Sequence, residues 1–349
     1  MASVGSVTAL PLVDLRAVSG VLRERLREAA HEVGFFYLTG HELPAALPRR
    51  VLEAARALFA LPDADKDAIA MVRSPHFRGY TRLGGELTRG EVDWREQIDI
   101  GPQRPPIAGP GQPDYLWLQG PNQWPAALPE LPGIIDEWDA ALSGVARTLL
   151  RHWAASLGSP PDVFDSAFAG APATLIKVIR YPAHAATAQG VGPHKDSGVL
   201  TLLLAEPGTR GLQVRRPDSP EWIDVPGVDG AFVVNIGELL EVATGGYLRA
   251  TEHRVNLGSA ESEGAERISI AYFFNPRLDA QVPMLSLPAE LAARAQSRPD
   301  PSDPIYSVYG RNAWKSRLRA HPDVAAAHGY AAGRLNCENS FPGGGNEGR

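Results

Sequence analysis

The chain is poor in several things that would define a function class. Of its 349 residues one is cysteine, Cys337. That excludes an internal disulfide and any cysteine-built zinc site, and it suits a reducing cytoplasm. Lysine is nearly as scarce. Only Lys66, Lys177, Lys195 and Lys315 occur among 34 basic residues, the arginines are scattered, and the net charge is −6. A nucleic-acid or anionic-membrane surface needs a basic patch, so neither partner is expected. No apolar run approaches the roughly 20 residues that cross a bilayer. The start, "MASVGSVTALPLVDL", has no basic stretch leading into a long apolar one, so no signal peptide is expected. Internal repeats are absent.

What remains is an ordinary globular composition, 44% apolar and 21% charged. Glycine (35) and proline (31) are plentiful, which favours many turns and a β-rich fold. "LPLVDL" (10–15) reads as a strand. Ser19 is placed to cap a helix carrying Leu22, Leu26, Ala29 and Val33, and Gly34 stands where a helix ends in the left-handed region. "FFYLTG" (35–40) reads as a second strand. Helices are expected from Pro44 to about Phe59, in "LPDADKDAI", and from about Pro132 to Leu157. The proline-punctuated stretch 101–132 reads as a long ordered loop.

After Ala171 the texture changes. "TLIKVIRY", "VLTLLLAE", "GLQVRR", "WIDVPG", "AFVVNIG", "HRVNLG" and "RISIAYFF" are short, β-branched or aromatic, and divided by turn residues. Strands at such spacing mean a β-sandwich or barrel. We expect an N-terminal α/β region (1–170), a β core (171–283), and a C-terminal helical segment with a flexible polar tail (284–349).

"GPHKDSGVLTLLL" (192–204) puts His194 and Asp196 two apart at the edge of an apolar run. On a strand, alternate residues share a face, so the two side chains can converge. His253 in "ATEHRVNLG" is the candidate third ligand. Two imidazoles and one carboxylate on one face of a metal leave positions open, the arrangement non-haem Fe(II) uses to bind a cosubstrate and O2. The pair alone could instead cap a turn, and a zinc hydrolase could use the same three ligands. Arg267 and Ser269, again two apart, occupy a strong strand pattern. If that face is inward, a ligand carboxylate is the natural partner for the guanidinium and the hydroxyl; if outward, Arg267 is solvated.

In this order, these elements resemble the isopenicillin N synthase-like branch of the Fe(II)/2-oxoglutarate-dependent oxygenases. "LPLVDL", "GFFYLTGH", "RGY" (78–80) and "GPNQWP" (120–125) look like that family's N-terminal region. "RYP" (180–182), "GLQV", "VVNIGELLEVATGG" and "HRV" look like its core. The resemblance implies a mainly β fold with flanking helices, a double-stranded β-helix (jelly-roll) core behind an N-terminal α/β region. It implies that His194, Asp196 and His253 ligate Fe(II), that Arg267 and Ser269 hold the distal carboxylate of 2-oxoglutarate, and that Tyr181 hydrogen-bonds this cosubstrate. The implied activity is O2-dependent oxidation of a small organic molecule, hydroxylation by default, with release of succinate and CO2. Desaturation or ring closure is open to the same chemistry.

One departure is Ile179, where many members of the family carry asparagine. Some relatives use O2 without 2-oxoglutarate and turn the Arg-x-Ser pair to a substrate carboxylate, and a non-catalytic binding protein is the remaining alternative. Lys195, between two ligands, should point away from the metal toward solvent. Leu200, Leu202 and Leu204 are expected to form an apolar wall of the barrel. Arg78, Tyr80, Tyr115 and Trp117 are candidates for the substrate pocket or for packing.

Overall fold

A computed structural model describes residues 10–330 except 110, 185–186, 217–218, 259–265 and 297–299. The expected tail, with Cys337, lies outside the described residues. The strands are β1 (Leu12–Asp14), β2 (Phe35–Thr39), β3 (Gly79–Thr81), β4 (Leu87–Thr88), β5 (Glu91–Val92), β6 (Glu96–Ile100) and β7 (Leu175–Tyr181). They continue with β8 (Gln189–His194), β9 (Leu200–Ala205), β10 (Leu212–Arg215), β11 (Trp222–Asp224), β12 (Phe232–Ile236), β13 (His253–Asn256) and β14 (Arg267–Phe274). The helices are α1 (Ser19–Glu32), α2 (Ala46–Phe59), α3 (Asp63–Ala68), α4 (Leu131–Ser156), α5 (Glu238–Ala243), α6 (Ala289–Ala292), α7 (Tyr309–Ala320) and α8 (Pro322–Ala327).

Eight strands form one sheet in the order β1-β2-β12-β9-β14-β7-β6-β3. It is antiparallel apart from the β1–β2 pair. A second sheet, β11-β10-β13-β8, faces it, and β4 and β5 make a separate hairpin. This is the β-sandwich expected from the strand spacing, in the jelly-roll form that the family resemblance implies.

Strand alternation sorts the side chains. On the large sheet, Phe36, Ile98, Val178, Leu202, Val234, Ile270 and Tyr272 turn outward into the helix-covered core. That layer is covered by α1, α2 and α4, whose buried positions include Leu22, Val51, Ile135, Trp138, Leu142 and Trp153. Each such side chain taken out of water contributes about 1.5–3 kcal/mol. The other face carries Phe35, Ile179, Tyr181, Val233 and Ala271 toward Val191, Leu212, Val214 and Val255 of the small sheet. Between the sheets a cavity of about 1640 Å³ stays open.

Two expectations are corrected, and one strand is added. Val18, not Ser19, caps α1, and no side-chain capping bond forms. Gly34 does sit at φ +76°, and an added Cβ there would lie 2.2 Å from the Arg249 carbonyl oxygen. The apolar wall was assigned to the wrong side. Leu200, Leu202 and Leu204 face the helices, whereas Thr201 and Leu203 line the cavity. β6, "EQIDI", was missed because its polar residues are buried against counter-charges, which hides the apolar alternation that marks a strand.

Candidate active site

His194 is the last residue of β8 and His253 the first of β13, and the two stand opposite each other in register. Their rings lie 4.3 Å apart, centre to centre. Asp196 is not on the strand. The chain must cross there from the small sheet to β9 of the large one, and Asp196 lies in the turn that makes the crossing. That turn is pinned from below. Glu238 N–H donates to the Asp196 carbonyl (2.8 Å), and Leu239 N–H donates to that of Gly198 (3.0 Å). Gly237 has to be glycine-sized, since a Cβ would fall 2.2 Å from the Gly198 carbonyl oxygen.

The convergence of His194 and Asp196 therefore comes from a turn rather than from strand alternation. Asp196 Oδ1 is 3.7 Å from His194 Nε2 and 3.9 Å from His253 Nε2. The ligand atoms of all three residues lie within 4.8 Å of one another.

The other atoms of these side chains are occupied. Nδ1 of His194 contacts the Gly192 carbonyl at 2.8 Å, and Nδ1 of His253 contacts that of Thr251 at 3.1 Å. With the Nδ1 protons so placed, both Nε2 atoms offer lone pairs to a common point. Asp196 Oδ2 accepts from Thr201 Oγ1 (2.6 Å) and Asn235 Nδ2 (2.8 Å), leaving Oδ1 for the histidine side. Desolvation in the cavity, and then the neighbouring His253, push the His194 imidazole down to about 4. Burial works to raise the Asp196 carboxyl, but the two histidines and the two hydrogen bonds hold it below the usual carboxylate range. The set offers two imidazole nitrogens and one carboxylate, a donor set free of sulfur and suited to Fe(II).

Arg267 opens β14 opposite Tyr181, and Ser269 stands opposite Ile179. All four face the cavity. Arg267 is 4% exposed, and its Nε and Nη1 have no hydrogen-bond partner among the described residues. Its guanidinium carbon lies 5.0 Å from the centre of the Tyr181 ring, a cation–π contact. Ile179 belongs to the inner apolar cluster, so no amide reaches in from that strand position.

Lys195 is corrected. Its Nζ lies 3.3 Å from Glu241 Oε2, and the residue lines the cavity instead of pointing to bulk solvent. Beside it Glu238 also lines the cavity, and desolvation raises its carboxyl to about 7 despite Lys195. The four aromatic and charged pocket candidates are structural with respect to this cavity. Arg78 and Tyr115 border a separate hollow of about 550 Å³, Tyr80 donates its hydroxyl to Glu96 (2.5 Å), and Trp117 lies against His76 and Tyr330.

Sequence reasoning missed Thr201 and Asn235, which hold Asp196. The available signal was a lone polar residue inside an apolar strand, as in "VLTLLLA" and "FVVNI". It also missed the charged wall made by Glu86, Lys177 and Arg317.

Two family models match the chain: the N-terminal region of the non-haem dioxygenase of morphine synthesis over residues 10–127, and the 2OG-Fe(II) oxygenase superfamily over residues 173–276. A 2-oxoglutarate-dependent dioxygenase, frbJ, of Dothideomycetidae sp. is 34% identical over 342 residues, 91% of each chain. A homoarginine-6-hydroxylase of Glycine max is 34% identical over 274 residues, 75% of this chain and 80% of that one. Among solved structures, a 2OG-Fe(II) oxygenase family protein of Caulobacter crescentus superposes with a TM-score of 0.70 at 26% identity, covering 84% of this chain and 94% of its own. These relatives support the 2-oxoglutarate-dependent reading and not the oxidase that dispenses with it. The chain belongs to the 2OG-Fe(II) oxygenase superfamily, as a non-haem Fe(II)- and 2-oxoglutarate-dependent dioxygenase.

Proposed function

We propose that His194, Asp196 and His253 hold the Fe(II), and that Arg267 with Ser269 holds the distal carboxylate of 2-oxoglutarate. The observation that carries this reading is Arg267: a buried guanidinium with two unpaired N–H groups, on the wall of the cavity that the His-Asp-His set also faces. Leaving such a charge unmatched is costly, and a carboxylate accepting from it offsets that cost. The hydroxyl of Ser269, 1% exposed on the same strand face, adds a further donor.

When bound, Fe(II) and 2-oxoglutarate supply O2 activation coupled to oxidative decarboxylation, giving succinate, CO2 and an oxidised substrate. The protein's own contributions are positional. The two backbone-anchored imidazoles and the Thr201–Asn235 clamp on Asp196 keep the ligand atoms converged. Tyr181 backs the Arg267 guanidinium. Phe35, Leu203, Leu212 and Val255 line the cavity with apolar surface and limit water near the reacting centre. Hydroxylation of a small organic substrate is the outcome this site supports. None of the described helices is long and apolar enough to cross a membrane, and the single cysteine is compatible with the cytoplasm.

Anaerobic titration with Fe(II) and 2-oxoglutarate should develop the weak visible charge-transfer band of the keto-acid chelate, and admission of air should yield succinate. Absence of both would refute the assignment.

A further inference from the structure

A second buried arginine faces the same cavity and lies outside the cosubstrate site. On α7, Tyr309, Ala313, Ser316, Arg317 and Ala320 recur at helical spacing and line the cavity, while Trp314 turns away to Phe77 and Tyr330. Arg317 is 9% exposed. Its Nη1 donates to Asp99 Oδ2 (2.5 Å), and its Nη2 has no hydrogen-bond partner among the described residues.

Asp99 faces Lys177 across the β6–β7 pair, and Lys177 Nζ lies 2.6 Å from Glu86 Oε1. Arg95 Nη2 reaches Glu86 Oε2 at 2.8 Å and Asp93 Oδ2 at 3.3 Å. Arg78 is buried near Arg317; its Nη2 donates to the Leu118 carbonyl, and no described carboxylate pairs with it. His321, pushed down to about 4 by burial, is neutral at pH 7. Four cations (Arg78, Arg95, Lys177, Arg317) thus meet three carboxylates (Glu86, Asp93, Asp99), all of them buried. One positive charge is left over. The cation without a carboxylate is Arg78, which borders the separate hollow behind Arg317; on the main cavity's wall, the unpaired Nη2 of Arg317 is what a monoanion would meet.

The cluster adjoins the metal-binding set without overlapping the cosubstrate anchor. Asp93 Oδ1 accepts from the N–H of Gly192, two residues before His194, at 3.2 Å. Lys177, which faces the Arg317 partner Asp99, and Tyr181, the partner of Arg267, are four residues apart on β7, so these two strand positions are separated by roughly 13 Å. One cavity therefore has two carboxylate-sized cationic stations on different walls.

We propose that Arg317 anchors a carboxylate of the primary substrate, so that this oxygenase acts on a small organic acid. The inference rests on the oxygenase reading above, in which Arg267 is reserved for 2-oxoglutarate. One unpaired guanidinium nitrogen, Nη2 with its two N–H donors, on a side chain whose Nη1 is already held by Asp99, fits a monocarboxylate better than a dianion such as a phosphate ester.

The test uses the full-length protein loaded with Fe(II) and 2-oxoglutarate. The probes are a panel of aliphatic, aryl and amino carboxylic acids, each matched with its primary amide. Binding is read anaerobically as a shift in Tm, and turnover in air as succinate formed above the level without probe. At least one acid should raise both, with its amide weaker by about tenfold or more. Arg317→Gln should raise the KM for that acid by about 10- to 100-fold, as expected for one lost charge-assisted hydrogen bond. The acid–amide difference should vanish with it, and Arg317→Lys should keep part of the difference. The double variant Asp99→Asn/Arg317→Gln removes both partners of the ion pair, leaves Lys177 paired with Glu86, and must show the same loss. The proposal is overturned if no acid produces either signal, if amides match their acids, or if the preference survives in the double variant. Failure of the oxygenase reading has a different mark: the wild type would then lack the charge-transfer band and form no succinate even without a probe.

Discussion

Replacing Arg267 by methionine separates ligand binding from folding. Methionine approximates the length of the arginine stem, so little volume is lost, while the charge and all the donors go. In the free protein two of those donors, Nε and Nη1, have no partner, and the charge has only the Tyr181 face and a distant Glu206 to balance it. Removing a buried, poorly matched charge in favour of an apolar chain is neutral or stabilising. The metal-free, cosubstrate-free variant should therefore unfold at the wild-type temperature or slightly above it. Binding of 2-oxoglutarate is the opposite case. Two hydrogen bonds from a guanidinium to a carboxylate contribute about 1.5–3 kcal/mol each. A loss of about 3–4 kcal/mol corresponds to a roughly 10²- to 10³-fold rise in the KM for 2-oxoglutarate. Adding 2-oxoglutarate to the Fe(II)-loaded protein should raise the wild-type Tm further and leave that of the Fe(II)-loaded variant nearly unmoved, because stabilisation by a ligand follows its affinity. Succinate formation against 2-oxoglutarate concentration gives the KM, scanning fluorimetry gives the Tm, and anaerobic titration gives the Fe(II) affinity. A KM shift below about tenfold, a collapse of Fe(II) binding, or a clearly destabilised free protein would each show that Arg267 does some other job.

Two further outcomes follow from the hydrogen-bond network and the buried histidines. Thr201→Val and Asn235→Ala each remove one donor from Asp196 Oδ2 and leave the ligand itself in place. Each should weaken Fe(II) binding by about 10- to 100-fold, as measured by anaerobic titration, with the far-ultraviolet circular dichroism unchanged. His321 is 1% exposed, and burial first of all depresses its imidazole from 6.5 to about 4. Between those values the unfolded chain takes up a proton that the folded one refuses, so stability falls as the pH drops through this window. The decline is on the order of 3 kcal/mol by pH 4. Urea denaturation at pH 7 and pH 4 should show His321→Gln losing that much less than the wild type; equal losses would mean that His321 titrates normally.

Much of the site was legible because its signals are local. A histidine and an aspartate two apart, and an arginine and a serine two apart in a strand pattern, stand out where neighbouring positions are apolar. Burial of such groups demands a partner, and a metal and a carboxylate are the partners that fit. The helices of the first 70 residues were legible for a similar reason, since the 3.6-residue period and the glycine at position 34 are properties of a short window. Strand alternation separates β9 into two faces, but which face looks inward depends on where α4 and its neighbours dock, so the leucines were assigned to the wrong side. Lys195 was read as a strand residue; it is held by Glu241, a residue of α5, after the chain has left the strand.

The sequence by itself determined the chemistry on offer: two imidazoles, a carboxylate, an arginine and a serine, at spacings that a jelly-roll brings to one cavity. Only the tertiary structure decided what surrounds them. Asp196 is aimed by Thr201 and Asn235 from two different strands, and the buried charge cluster beside the cavity arises where Glu86, Asp99, Lys177 and Arg317 meet from four separate segments. Charge balance in a buried cluster is a property of distances between segments remote in the chain, and no local period encodes those distances.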